Sequence, residues 1–404
     1  MDFGYSPAEQ AFAAEVRSFL RARPPDRFAS DGTDAGYGSG PHSKAFMRVL
    51  GERGWISMTW PRDLGGQERP LIYSLILLEE LAAGGAAFGP LAGSMQVADA
   101  IIKYGSETLK RDLLPRVARG FTTFWQGFSE PDSGSDLLSL KTHARREGDV
   151  WIVDGHKIWS SHAGIAEFGI VLARTDPASQ RQRGLSMFLI DNRLPGMDVR
   201  PIRSLTGLVY HYEVFLDGVR VPHPYLLGKE GEGFTQLLKG LDTDRFWGRF
   251  YKAPFLRRIL GLLVEYANAT ERDGSPLARD PGVRRRLAAA ATEIAALRAL
   301  FLRAGWLILT DQPATAETAV AKVMADELGQ RVMSLGMDLL GQRGPLREGS
   351  PGAVLAGVIE HQYLASMGHT IAGGTSEVLR GTVATRGLGL PGEPRAGRSG
   401  RAAS

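Results

Sequence analysis

The sequence predicts a mainly α protein with a central β domain, in the order N-terminal helical domain, small antiparallel β-barrel or sandwich domain, C-terminal four-helix bundle. Apolar residues recur at helical spacing over 1–124, alternate in a strand-like way over 125–233, and return to helical spacing over 234–390. Residues 391–404 are small and polar and predict a disordered tail. A chain of 404 residues is also too long for one comfortable core, so two or three packed subdomains are expected.

Ser6 followed by Pro7 reads as an N-cap and first helical position, and Phe12, Val16, Phe19 and Leu20 mark the buried face of the helix that follows. Pro24-Pro25 stops it, and the Gly-, Asp- and Ser-rich segment Ser30–Ser43 predicts an exposed, mobile loop. Further helices are expected at Lys44–Glu52, Leu71–Ala83, Ser94–Tyr104 and Ser106–Arg119, with Trp55 and Trp60 packed between helices. In the middle third, Asp154-Gly155 reads as a type I′ turn between strands at 150–153 and 156–160. Strands follow at 169–174, 185–190, 199–202 and 210–216. Gly228–Gly233 is glycine-rich but has the wrong order for a phosphate loop, so it reads as an exit turn. Apolar stripes at Arg284–Thr310 and Ala319–Leu340, with helices at 234–270 and 352–369, make the bundle. Strand-helix-strand alternation and a Gly-x-Gly-x-x-Gly after a strand are both absent, which excludes a dinucleotide-binding sheet.

Composition removes several function classes. With no cysteine, disulfides, thiolate nucleophiles and thiolate metal sites are excluded. His156, His162, His211 and His223 lack metal-ligand spacing. The net charge is +4 with a pI of about 9.3, but acids and bases are interspersed, so no nucleic-acid partner is expected and the basic tail reads as a solvated end. The N-terminus lacks a signal-peptide layout and no apolar run nears the ~18 residues of a membrane span, so no membrane association and a cytoplasmic location are expected.

The chemistry is expected in Gln126–Ser161. Ser129-Glu130-Pro131-Asp132-Ser133-Gly134-Ser135-Asp136 is a turn-rich loop whose small residues let a ligand approach the backbone and whose hydroxyls add donors. It is followed by Asp154-Gly155-His156-Lys157-Ile158-Trp159-Ser160-Ser161. This order resembles the acyl-CoA dehydrogenase family, and the resemblance covers nearly the whole chain. It implies an FAD-dependent enzyme that removes hydrogen across Cα–Cβ of an acyl-CoA and passes electrons to an electron-transferring flavoprotein. It also implies that Ser129 and Ser135 face the cofactor and thioester, that Trp159 stacks on the flavin, and that Ser161 sits at flavin N5. Gln126, Phe128, Ser160, Thr375 and Ser376 are implied at the cofactor in the same way.

The sequence departs from the family pattern at one base position. Many members carry a Glu just before Gly-Thr-Ser, where this chain has Gly373 before Gly374-Thr375-Ser376. A second group, acting on branched, long or bulky acyl chains, has its base early in the bundle just before an Arg. The match here is Asp244-Arg245, which makes Asp244 the expected base with Arg245 beside it. Asp242, Arg245, Ser135, Gly373 and Gly374 are then expected at the substrate. Asp242 or Thr243 as a helix cap, with Asp244 favouring the helix dipole, is the simpler alternative for that stretch. Arg272 survives from a motif that reaches the FAD of a neighbouring subunit, without its aromatic. The resemblance thus implies either a homo-oligomer, dimer or tetramer, or a heterotetramer with a related chain. Two rival readings stand beside it: a non-catalytic or half-site partner subunit, and a flavin monooxygenase of the same fold.

Overall fold

The computed structural model describes residues 4–23, 41–179, 182–238 and 249–392. Helix α1 (Pro7–Ala22) is started by a reciprocal cap: the Ser6 N–H donates to Glu9 Oε2 at 2.7 Å, and the Glu9 N–H to Ser6 Oγ at 3.4 Å. Its Phe12, Val16, Phe19 and Leu20 are buried as their spacing predicts. Helix α2 (Pro41–Glu52) takes in residues 41–43, which the sequence reading assigned to a loop. Pro41 suits a first helical position and Ser43 is fully buried, so the polar composition there misled. The rest of that loop lies outside the described residues.

Helices α3 (Ile72–Gly84), α4 (Gly89–Tyr104) and α5 (Glu107–Ala118) follow, α5 capped by the Ser106 side chain as expected. Helix α4 begins a turn before the expected Ser94, because Pro90 sits in its first turn and Ser94 is interior and buried. Helix α3 is apolar nearly all round and buried from Ser74 to Ala82, as a central helix must be.

Strands occupy the middle: β1 (Phe124–Gly127), β2 (His143–Glu147), β3 (Val150–Lys157), β4 (Phe168–Arg174), β5 (Leu185–Asp191), β6 (Met197–Arg203), β7 (Val209–Pro222) and β8 (Leu226–Leu227). They form one sheet in the order β6-β7-β3-β2-β4-β5-β8, with β1 also on β4. The sheet is mixed and not closed, where a wholly antiparallel barrel or sandwich was expected: β1–β4 and β2–β4 pair parallel. Trp125 explains the β1–β4 contact. A Cβ on Gly169 would lie 2.2 Å from its ring, so only glycine lets β4 pass.

The expected hairpin at Asp154-Gly155 is corrected. Strand β3 runs through both residues, and the turn is at Gly148-Asp149, where Gly148 has φ +60° and Glu147 pairs with Val150. Gly155 is needed because a Cβ there would meet Thr142 Oγ1 at 2.2 Å, while Asp154 Oδ1 accepts the Gly218 N–H at 2.7 Å.

Four helices pack together after the sheet: α6 (Lys252–Ala269), α7 (Pro281–Leu309), α8 (Thr315–Leu340) and α9 (Val358–His369). A short β9–β10 hairpin (Glu271–Arg272, Ser275–Pro276) joins α6 to α7, and α10 (Ser376–Thr382) lies on α8. The N-terminal helices share one core with the bundle. That junction carries a polar tie. Arg298 on α7 donates to Glu79 on α3 at 2.6 and 3.1 Å, and the Tyr5 hydroxyl donates to Glu79 Oε2 at 2.5 Å. Among the described residues no helix is long and apolar enough to cross a membrane.

Candidate active site

The loop after β1 is bound to the end of β3 at three points. The Ile158 N–H donates to the Ser129 carbonyl at 3.0 Å, and Lys157 Nζ donates to the Phe128 carbonyl at 3.3 Å and to Glu130 Oε1 at 2.8 Å. Glu130 also accepts the N–H groups of Lys141 at 2.6 Å and Thr142 at 2.9 Å, which closes the loop on itself. Burial pushes the Glu130 carboxyl up, but Lys157 and these donors outweigh it and hold it below the usual range. Burial pulls Lys157 down to about 8 against the pull of Glu130. Neither residue was singled out from sequence. The only signal was a glutamate inside the loop motif and a lysine at the end of strand β3.

This clamp presents Trp159. Its ring is 58% exposed although both flanks are fixed, by the Ile158 bond and by the Ser160 N–H donating to the Tyr212 carbonyl at 3.0 Å. Trp159 has φ +59° and His162 φ +65°, left-handed conformations that bulky residues adopt only where their surroundings enforce them. His211 of β7 meets the Trp159 ring edge-on at 5.9 Å. Burial lowers His162 and His211 to about 4, so both are neutral at ordinary pH.

The bundle brings up the other wall. Lys252, at the start of α6, lies 3.0 Å from Nδ1 of His369 at the end of α9. Burial, then Lys252, Arg249, Lys322 and His211, hold His369 well below its ordinary range, so Nδ1 accepts from the lysine. Gly373 and Gly374 turn the chain after α9 with φ +70° and +98°.

Of the residues expected at the site, the structure ties Ser129, Trp159 and Ser160 together through the clamp. Phe128 and Ser161 adjoin them in the chain and are half-buried, and Gln126 donates to Gln96 of α4 at 2.7 Å, marking α4 as a border of the site. Ser135 is exposed, and it is Ser133 whose hydroxyl binds the loop, donating to the Asp136 carbonyl at 2.8 Å. The Thr375 hydroxyl accepts the Val378 N–H at 3.2 Å as the cap of α10, and its own O–H remains to donate. Arg272 is exposed beyond the far end of α6, whose 18 residues span about 27 Å from Lys252. Asp242, Asp244 and Arg245 lie outside the described residues.

The residues present fit a flavin. An exposed indole offers a stacking face, and the buried hydroxyls of Ser160 and Ser376 have no hydrogen-bond partner among the described residues. Phe128, Ser129, Trp159, Ser160 and Ser161 would hold it. A groove of about 820 Å³ between α7 and α8, lined by Arg286, Glu293, Arg331, Thr370 and Ser376 among others, reaches the same Ser376.

Comparison with known proteins agrees with this geometry. The family descriptions "Acyl-CoA dehydrogenase, N-terminal domain", "middle domain" and "C-terminal domain" match residues 6–121, 126–219 and 231–388. "Acyl-CoA dehydrogenase FadE26" of Mycobacterium tuberculosis is 30% identical over 403 residues, covering 97% of this chain and 99% of that one. The solved "Tcur3481-Tcur3483 steroid ACAD" superposes with a TM-score of 0.87 at 30% identity, over 97% of this chain and all of that one. The solved ChsE4-ChsE5 complex from Mycobacterium tuberculosis has a TM-score of 0.82 at 29% identity, over 97% and 100%.

Proposed function

The chain belongs to the acyl-CoA dehydrogenase family of FAD-dependent oxidoreductases, and from that premise we propose that it converts an acyl-CoA with a branched or ring-bearing acyl group to the trans-2-enoyl-CoA. An electron-transferring flavoprotein is the proposed acceptor. The observation that carries this reading is the exposed Trp159 ring, two residues beyond the Glu130–Lys157 clamp that binds the Ser129 loop.

FAD, when bound, supplies the acceptor for the hydride that leaves Cβ. The chain's own residues do the rest. A Cα–H beside a thioester is only weakly acidic, so its removal needs a carboxylate base and donors aimed at the thioester oxygen. Gly373 has no side chain, which leaves Asp244 as the base, and the backbone N–H of Gly373 is the donor. The neutral His211 and His369 add no positive charge to the site.

The missing side chain at Gly373, which is exposed, supports the bulky-acyl reading, as does likeness to a protein named a steroid ACAD. The position of Arg272, about 27 Å along from Lys252, supports a flavin site completed by a neighbouring subunit. We take that subunit to be a related chain, as in the two-chain neighbours. Anaerobic titration of the yellow protein, alone and with candidate partner chains, tests the reading. Ring-bearing acyl-CoAs should remove the flavin's visible absorption. A protein that holds FAD but is reduced by no acyl-CoA overturns it.

A further inference from the structure

Beneath Gly373 and Gly374 lies a buried set of charges that the reaction does not use directly. Lys322 and Asp326 stand one turn apart on α8, each 1% exposed. Asp326 faces two cations, Lys322 Nζ at 3.0 Å and Arg249 Nε at 3.3 Å, without a well-aligned hydrogen bond to either. Both cations spend donors on the loop above. Lys322 Nζ donates to the carbonyls of Gly374 at 2.6 Å and His369 at 3.2 Å, and Arg249 Nη2 donates to the carbonyl of Ala372 at 3.1 Å.

In a trans peptide the C=O and the following N–H point in opposite directions. Drawing the Ala372 carbonyl into the bundle therefore turns the Gly373 N–H outward. That N–H makes no hydrogen bond among the described residues, and Gly373 itself is exposed. The positive φ of Gly373 and Gly374 lets the chain accept this geometry. Burying a Lys–Asp pair is expensive, and apolar side chains would fill the same space more cheaply. The charges are justified by where they hold three carbonyls.

We propose that Lys322 and Arg249, locked by Asp326, are positioning residues that aim the Gly373 amide at the thioester oxygen. This rests on the dehydrogenase reading above. Misplacing the donor weakens charge stabilisation more than ground-state binding. Lys322→Met should lower kcat about 10- to 100-fold while KM moves less than about threefold, and Asp326→Asn should give a smaller loss in the same direction.

The deciding readout is the carbonyl band of carbon-13-labelled 3,3-dimethylbutanoyl-CoA, which has no β-hydrogen and cannot be oxidised. Infrared difference spectra of the FAD-loaded parent should show that band moved to lower frequency on binding, and Lys322→Met with full FAD content should lose most of the shift. Should Lys322→Met not fold, Asp326→Asn decides by the same band. A folded variant that keeps the full shift overturns the positioning role. A parent with no shift instead overturns the reading of Gly373 as the thioester donor.

Discussion

Lys157 and Glu130 meet at 2.8 Å where neither is open to water, and this contact is the ionic one of three that bind the end of β3 to the loop that begins at Ser129. Because Trp159 is two residues beyond Lys157, the ion pair sets where the exposed ring stands. A buried pair of this kind contributes more to geometry than to net stability, but removing one partner strands the other.

Lys157→Met and Glu130→Gln should each destabilise the protein by about 3–5 kcal/mol, because each removes the opposite charge from a buried ion pair. The double variant should recover part of that loss. Denaturant melts of the three proteins check it, and additive losses would show that the two residues do not act as a pair.

Trp159 is exposed and strained, so its removal should cost the flavin and spare the fold. Trp159→Gly suits φ +59° and should change stability by no more than about 1 kcal/mol. Its FAD dissociation constant should rise about tenfold or more as the stacking face is lost. Fluorescence titration of the stripped protein with FAD measures this, and unchanged affinity would remove Trp159 from the site.

Acid should weaken the fold through its buried histidines. Burial lowers His162, His211 and His361 from an ordinary 6.5 to about 4, with a further push from His211 on His162 and from Arg347 on His361. Between those values the unfolded chain binds more protons than the folded one, so stability rises with pH there. The contribution is fully present above about 6.5 and lost as pH falls through 4. Each histidine contributes a slope of up to about 1.4 kcal/mol per pH unit. Urea midpoints at pH 7 and 5 should differ accordingly, and His361→Gln should flatten the curve by roughly one histidine.

Asp244→Asn should retain FAD and acyl-CoA binding while substrate-driven flavin reduction slows by about 10²–10⁴-fold. Asp244→Glu should keep activity, since it restores the longer carboxylate of the bulky-acyl group. Stopped-flow absorbance distinguishes the two, and undiminished reduction by Asp244→Asn would place the base elsewhere.

The helices were legible because Ser6, Ser106 and the apolar stripes of α7 and α8 act locally. What failed depended on distant neighbours. Asp154-Gly155 has the chemistry of a turn, yet Gly155 is there to clear Thr142, and only the register of β2 and β3 reveals it. The parallel β1–β4 pairing follows from Trp125 lying over Gly169, 44 residues later in register from Trp125. At the site, motif order pointed to Trp159 and the Ser129 loop, but the Glu130–Lys157 clamp and the Lys322–Asp326 support needed burial and distance to be seen.

The tie among Tyr5, Glu79 and Arg298 has a consequence for how the chain is made. Glu79 is synthesised 219 residues before the arginine that neutralises it. At about 5–20 residues per second, that interval is about 10–45 s at the ribosome. For most of it α3, apolar nearly all round, lacks the α6 that packs on it. The N-terminal helices therefore cannot mature as an independent unit, and nascent chains stalled before Arg298 are candidates for chaperone holding. Messages truncated between β8 and α6 should yield insoluble product even though they encode α1 to α5 and the whole central sheet.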